Sequence, residues 1–135
     1  MAGWCVDGRQ RYRPTQMAPS KDAIVGLLAC ALGRKRGTYL GDLQGLGIDV
    51  ETVGVGEVFT DYHTITNCAT YDGKSQDRTA ITYRQYVSQP RYRVTIQGDG
   101  GLLELLSHAL TYPQWQLYLG RRSCPLSRPP VVSLQ

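Results

Sequence analysis

Two adjacent arginines follow a glycine near the end of this 135-residue chain. The segment is Gly120-Arg121-Arg122-Ser123. Glycine lets a backbone approach a ligand closely, and guanidinium groups form bidentate hydrogen bonds with neighbouring phosphates. We therefore predict a phosphate-binding loop in which each arginine supplies one contact. An ordinary surface turn is the alternative.

A second group of phosphate-binding residue types precedes the first predicted helix. The group comprises Arg9, Arg11, Arg13, Thr15, Ser20 and Lys21. At a helix N-terminus the free N–H groups point outward and the helix dipole favours an anion. The pattern predicts a phosphate site here. The alternative is a basic loop in which Ser20 only caps the helix.

Tyrosines and basic residues are interleaved in a long polar stretch, residues 60–90. The chain has nine tyrosines and two tryptophans but only one phenylalanine. The stretch carries Tyr62, Tyr71, Tyr83 and Tyr86 together with Lys74, Arg78 and Arg84. Tyrosine rings and arginine planes stack on the bases of single-stranded RNA, which is the interaction we predict. Packing of these tyrosines within the hairpin or on a protein neighbour is the alternative.

One set of side chains in this stretch could also catalyse metal-independent RNA cleavage. His63 would move a proton, Tyr62 would orient or activate the 2′-hydroxyl, and Lys74 would stabilise charge on the phosphorane. Spacing does not bring the three together. A histidine in a hairpin is more often a contact residue, so we expect no catalysis.

Charge is unevenly distributed along the chain. Residues 1–36 hold seven basic and two acidic side chains, whereas residues 37–59 hold four acidic and no basic ones. Such separation favours a polyanion site assembled from distant segments, with a solvated surface as the alternative. The four cysteines and two histidines lack the spacing of a metal site, so we expect neither metal nor cofactor.

Composition and length predict one globular domain over residues 1–135. Hydrophobic residues make up 41% of the chain and charged residues 19%, which is neither a disordered nor a membrane composition. No apolar run approaches the roughly 20 residues of a membrane span. Polar and charged residues occupy the place of a secretory core segment, so we expect a cytoplasmic protein.

Periodicity and capping residues predict the elements that hold these side chains. We expect a helix behind Ser20, a connection over 38–47, a strand over 48–59, a hairpin over 60–90, a strand over 91–97, a helix over 101–110 capped by Asp99, and a short strand over 117–119. This order fits an α+β fold with helices on one face of an antiparallel sheet. It matches a ferredoxin-like unit without its first strand.

Four blocks, taken together and in order, resemble the CasD family, the subtype I-E CRISPR Cascade subunit that caps the 5′ handle of crRNA. The blocks are RPTQMAPSKDAIVGLLACALG, DYHT, TYRQYVSQPRYRVTIQ and LYLGRRSCPL. The resemblance implies a ferredoxin-like RAMP fold in which residues 60–90 form a protruding thumb. It also implies a non-catalytic role, because another subunit cleaves the precursor RNA in this subtype.

The resemblance further implies partners: crRNA, the Cascade backbone subunit, the large subunit and, through the complex, target DNA, with no membrane and no homo-oligomer. The handle-facing candidates that it implies are Arg13, Thr15, Ser20, Lys21, Tyr62, His63, Thr64, Arg121, Arg122 and Ser123. A metal-independent endoribonuclease and a general single-strand RNA-binding module remain as alternatives.

Two departures from the family pattern concern the ends of the chain. Only three residues precede Trp4, where an apolar first strand is expected, and the chain stops soon after the RRSCP block. We expect a minimal or truncated subunit that is most stable within its assembly.

Overall fold

Seven strands and three helices are found in the described part of the chain, which comprises residues 1–5, 11–54, 56–67, 69, 72–74 and 79–134 of a computed structural model. They are β1 (Trp4–Cys5), β2 (Tyr12–Arg13), β3 (Thr15–Gln16), α1 (Lys21–Ala31), α2 (Gly41–Gln44), β4 (Gly47–Gly54), β5 (Val58–Ile65), β6 (Ala80–Val87), β7 (Arg91–Gln97) and α3 (Gly100–Thr111). The predicted α+β class is confirmed.

Both long helices form where the sequence predicts them, because each has a capping side chain. The Ser20 hydroxyl accepts a hydrogen bond from the Ala23 N–H at 3.2 Å, and the Asp99 carboxylate accepts one from the Leu102 N–H at 3.2 Å. Helix α1 ends at Ala31 with Leu32 as its C-cap, after which Gly33 takes a positive φ of 71°.

Helices α1 and α3 cover one face of the two-stranded sheet formed by β4 and β7. The two strands pair antiparallel, and Ile48 lies opposite Ile96 while Val50 lies opposite Val94. These alternating side chains pack on the buried helix residues, among them Leu28 and Leu106. Within the described residues, β7 pairs only with β4.

The predicted connection over 38–47 contains the short helix α2. Its Asp42 carboxylate accepts hydrogen bonds from the Arg34 guanidinium just beyond α1, which lowers the pKa of Asp42 to about 2. Its Leu43 is fully buried in the main core. A four-residue helix offers too little periodicity to be seen in the sequence.

The prediction of a single strand over 48–59 is wrong, because the chain changes sheets there. Strand β4 ends at Gly54, after a register shift between Thr52 and Gly54, and β5 begins at Val58. Between them the Gly56 N–H donates to the Ser88 carbonyl at 3.1 Å.

The predicted hairpin is present, with β5 and β6 paired antiparallel from Val58 opposite Val87 to Ile65 opposite Ala80. Strand β2 pairs parallel with the other edge of β6. Between the two arms, Gly73 has a φ of 78°, which suits a turn. Several residues between the arms lie outside the described residues, including Tyr71 and Arg78.

The predicted strand over 117–119 is wrong. Tyr118 forms only an isolated bridge to Pro125, since the chain turns back at once to close a small loop. Within that loop the Leu119 N–H donates to the Cys124 carbonyl and the Cys124 N–H donates to the Arg121 carbonyl, both at 2.8 Å. The basic loop is therefore held by its own backbone.

Candidate nucleic-acid interface

An open cleft of about 490 Å³ gathers basic side chains from segments that are distant in sequence. Its arginines are Arg13, Arg36, Arg84, Arg121 and Arg122. The remaining lining residues are Cys5, Tyr118, Gly120 and Ser123, so the described lining includes no acidic residue. Five guanidinium groups around one cleft favour a polyanion.

Strand pairing places two of these arginines side by side. Arg13 on β2 is aligned with Arg84 on β6, so both side chains leave the same face of the sheet. The Arg84 Nε donates to the Thr82 hydroxyl at 3.1 Å, which orients this guanidinium. Five of the predicted RNA-binding residues thus line one cleft: Arg13, Arg84, Arg121, Arg122 and Ser123.

The opposite face of the same sheet carries a row of tyrosines. Tyr12, Tyr83 and Tyr62 lie at matching positions on β2, β6 and β5. The Tyr62 and Tyr83 rings meet edge to face, with centroids 5.5 Å apart. The Arg11 guanidinium lies 5.8 Å from the Tyr83 ring centroid, which places Arg11 outside the cleft lining.

Within the cleft, Arg121 bonds to the protein itself. Its Nη1 donates to the Gln85 carbonyl at 2.9 Å and its Nη2 to the Arg13 carbonyl at 3.1 Å. Its guanidinium also stacks over the Tyr86 ring, 4.8 Å from the centroid. These contacts join the basic loop to β6 and β2. Arg121 therefore holds the walls of the cleft together and also contributes a positive charge to it.

Arg122, unlike Arg121, is exposed and makes no hydrogen bond or ion pair to another described residue.

The other two residues of the basic loop make internal contacts. The Ser123 hydroxyl lies 3.4 Å from the Tyr86 hydroxyl. Gly120 has a φ of 82°, and its Cα faces the backbone of Gly3, so that a Cβ at this position would overlap Gly3. The glycine that the sequence suggested for ligand approach therefore also serves internal packing.

The residues around the start of α1 divide between structural and accessible positions. The Thr15 hydroxyl accepts a hydrogen bond from the Trp4 N–H at 2.9 Å and donates to the Gln16 carbonyl. Ser20 caps α1 and lines a second, smaller pocket. Lys21 is exposed in the first turn of the helix. Arg9 lies outside the described residues.

The possible cleavage residues do not converge on one face. Tyr62 and His63 are consecutive on β5, so their side chains leave opposite faces, with Thr64 on the face of Tyr62. The His63 Nδ1 lies 3.8 Å from the Asp61 carboxylate. Lys74 lies at the turn between the hairpin arms, beyond the end of β5.

Arg36 is a cleft residue that the sequence analysis did not select. It is the last of three consecutive basic residues that follow α1. The end of α1 carries it to the cleft. The one sequence feature that pointed to Arg36 was its position in residues 1–36, the most basic segment of the chain.

The described ranges were also searched for metal sites and for membrane-spanning helices. They contain no group of three or more His, Cys, Asp or Glu side chains placed to hold a metal ion. None of their helices is long and apolar enough to cross a membrane. Burial raises the pKa of the Cys124 thiol and of the Cys30 thiol, and Cys68 lies outside these ranges.

The fold and the cleft define a class: an α+β protein with an arginine-lined polyanion site. The family model described as "CRISPR-associated protein (Cas_Cas5)" matches residues 1–134. The chain therefore belongs to the Cas5 family of CRISPR-associated proteins.

Known relatives agree with this assignment. The chain is 29% identical to the CRISPR system Cascade subunit CasD of Escherichia coli (strain K12), over 96% of this chain and 64% of that protein. It matches a chain of a CRISPR RNA-guided surveillance complex with a TM-score of 0.83 and 28% identity, over 93% of this chain and 56% of the other. A crystal structure of a Cas protein matches with a TM-score of 0.59 and 29% identity, over 99% and 62%. The chain thus spans less than two thirds of each of these relatives.

Proposed function

We propose that this chain is a non-catalytic crRNA-binding subunit of a cytoplasmic type I-E Cascade complex, in which it holds the 5′ handle for antiviral defence. The observation that carries the proposal is the cleft, where five arginines meet without an acidic side chain in the described lining. Phosphates of a single RNA strand are the polyanion that suits such a cleft. The similarity to a Cascade subunit supplies the biological setting.

The two faces of the hairpin sheet suggest how the handle and the protein partners are separated. Arg13 and Arg84 leave one face, whereas Tyr12, Tyr62 and Tyr83 leave the other. Tyr62 is 57% exposed and Tyr12 is 47% exposed. In this proposal the arginine face binds the handle, and the tyrosine face remains for the backbone and large subunits.

Arg122→Ala should weaken binding of handle RNA without affecting the fold. Removing one phosphate contact is expected to lower the slope of log K against log salt by about 0.7 for a single strand. Arg122 is exposed and makes no hydrogen bond to another described residue, so the melting temperature should stay that of the wild type. Titrations of labelled handle RNA at several salt concentrations measure both affinity and slope.

Arg128→Ala is the matched control for that titration, because Arg128 is also exposed and does not line the cleft. It should leave the slope unchanged. Equal slopes for Arg122→Ala and the wild type would count against the cleft as the RNA site. Equal affinity of the wild type for handle and scrambled RNA would favour a general single-strand RNA-binding module.

Precursor repeat RNA should remain intact when it is incubated with this protein and no metal. The reason is that Tyr62 and His63 leave opposite faces of β5, so they cannot act on one phosphate from adjacent positions. Denaturing gels of the incubated RNA test this expectation. Specific cleavage that His63→Ala abolishes would establish the endoribonuclease alternative instead.

A further inference from the structure

Strands β6 and β7 share an edge that is paired along β6 and open along β7. A short connection, residues 88–90, joins the two strands, and their other edge is covered by β5 and then by β4. Along β6 the shared edge is covered by β2 and by Ala2, which pairs antiparallel with Val87 through hydrogen bonds of 2.8 and 2.9 Å. Along β7 the described part of the chain places no strand there. We call this stretch, Arg91–Gln97, the open edge of β7.

The helix layer is wider than the sheet that it covers. Helices α1 and α3 pack on each other and on the sheet of β4 and β7. A helix is about 10 Å across and strands lie about 4.8 Å apart, so two helices cover the width of about four strands. The described sheet has two. All four apolar strand residues that face the helices stay partly exposed: Ile48, Val50, Val94 and Ile96. A further strand would bury this surface.

The regularity of β7 suits it to pairing with a further strand. The outer edge of β4 is interrupted by the register shift between Thr52 and Gly54, after which the chain leaves the sheet. Strand β7 runs regularly through seven residues and contains neither proline nor glycine. Bulges and prolines are the usual protection of edge strands, and β7 has neither. Its edge can therefore accept backbone hydrogen bonds along its whole length.

Two arginines favour an acidic strand at this edge. Arg91 and Arg93 lie on the face of β7 that turns away from the helices, and both are exposed. The Arg93 Nη1 donates to the Glu51 carboxylate on β4 at 2.7 Å, so a carboxylate on a neighbouring strand already pairs with this face. Like charges on paired strands destabilise a sheet. A second copy of β7 would bring arginines of both copies together, which disfavours self-pairing.

We propose that the open edge of β7 binds an extended segment of a partner protein in which acidic and apolar side chains alternate. Backbone hydrogen bonds to β7 supply the affinity, as in other cases where a peptide adds a strand to a sheet. The apolar side chains lie beside Val94 and Ile96 under the helices, and the acidic ones lie beside Arg91 and Arg93. This inference goes beyond the proposed function, because it involves neither the arginine cleft nor RNA.

Peptides of defined alternation test the proposal on the wild-type protein. A labelled eight-residue peptide that alternates valine and glutamate is titrated against the full chain, and a valine–lysine peptide of the same length is the control. The valine–glutamate peptide should bind about tenfold more tightly, because opposite charges on neighbouring strands attract. Hydrogen exchange of the β7 amides should slow when this peptide is bound, whereas exchange of the β5 amides should not change.

Reversing the charge of the edge should reverse the preference. The double variant Arg91→Glu with Arg93→Glu should bind the valine–lysine peptide about tenfold more tightly than the valine–glutamate peptide. Arg128→Glu is the matched control, since Arg128 is exposed and lies outside β7, and it should keep the wild-type preference.

Three results would overturn the inference, and none of them needs a variant. The first is equal binding of the two peptides by the wild type. The second is protection of β5 instead of β7, which would place the peptide on the other exposed strand of the hairpin. The third is protection of β7 that rises with protein concentration in the absence of peptide, because a second copy would then be the occupant.

Discussion

Gly120→Ala is expected to destabilise the protein by about 2–5 kcal/mol. A residue with a side chain at φ 82° costs about 1–2 kcal/mol. The added Cβ would also lie 2.8 Å from the Gly3 carbonyl carbon and 2.9 Å from Trp4 Cε3, and such overpacking costs about 1–3 kcal/mol. For a chain of this length the melting temperature should fall by roughly 10 °C. Thermal unfolding followed by circular dichroism measures the change.

Gly37→Ala separates the two causes. Gly37 has nearly the same positive φ, 84°, but a Cβ there would meet no described atom within 4 Å. This variant should lose only the backbone cost of about 1–2 kcal/mol. If both variants lose the same stability, the close approach of the basic loop to Gly3 is not a feature of the folded protein. RNA binding adds a second readout, because only Gly120→Ala should displace Arg122.

The parts of the fold that the sequence predicted are those governed by local chemistry. Ser20 and Asp99 mark helix starts, and the alternation in residues 91–97 marks a strand, because caps and periodicity act within a few residues. The errors arose where contacts between residues distant in sequence determine the structure. The chain leaves one sheet for another between Gly54 and Val58, and no local signal distinguishes that change from a bulge.

The candidate site shows the same division. The uneven charge predicted a polyanion site assembled from distant segments. Arg13, Arg84 and Arg122 come from three such segments, and β pairing together with the loop brings them to one cleft. The sequence could not distinguish Arg121 from Arg122. Their difference depends on where the carbonyls of β2 and β6 lie, and these carbonyls are far away along the chain.

That difference leads to the second large effect, which is expected for Arg121→Ala. Its guanidinium donates to two carbonyls, and hydrogen bonds from charged groups contribute about 1.5–3 kcal/mol each. The Tyr86 ring adds about 0.5–2 kcal/mol. Since such terms are not additive, we expect a total loss near 3–5 kcal/mol. Urea unfolding of the variant and of the wild type measures this loss.

Arg121→Ala should also reduce RNA binding by more than the loss of one charge. When the loop detaches from β2 and β6, Arg122 no longer faces Arg13 and Arg84, so the salt slope should fall by more than it does for Arg122→Ala. Arg121→Lys distinguishes position from charge. Lysine keeps the charge but lacks the planar fork that reaches both carbonyls, so it should restore little stability and little slope. Full recovery with lysine would mean that Arg121 acts as a simple cation and that the two carbonyl contacts do not position the loop.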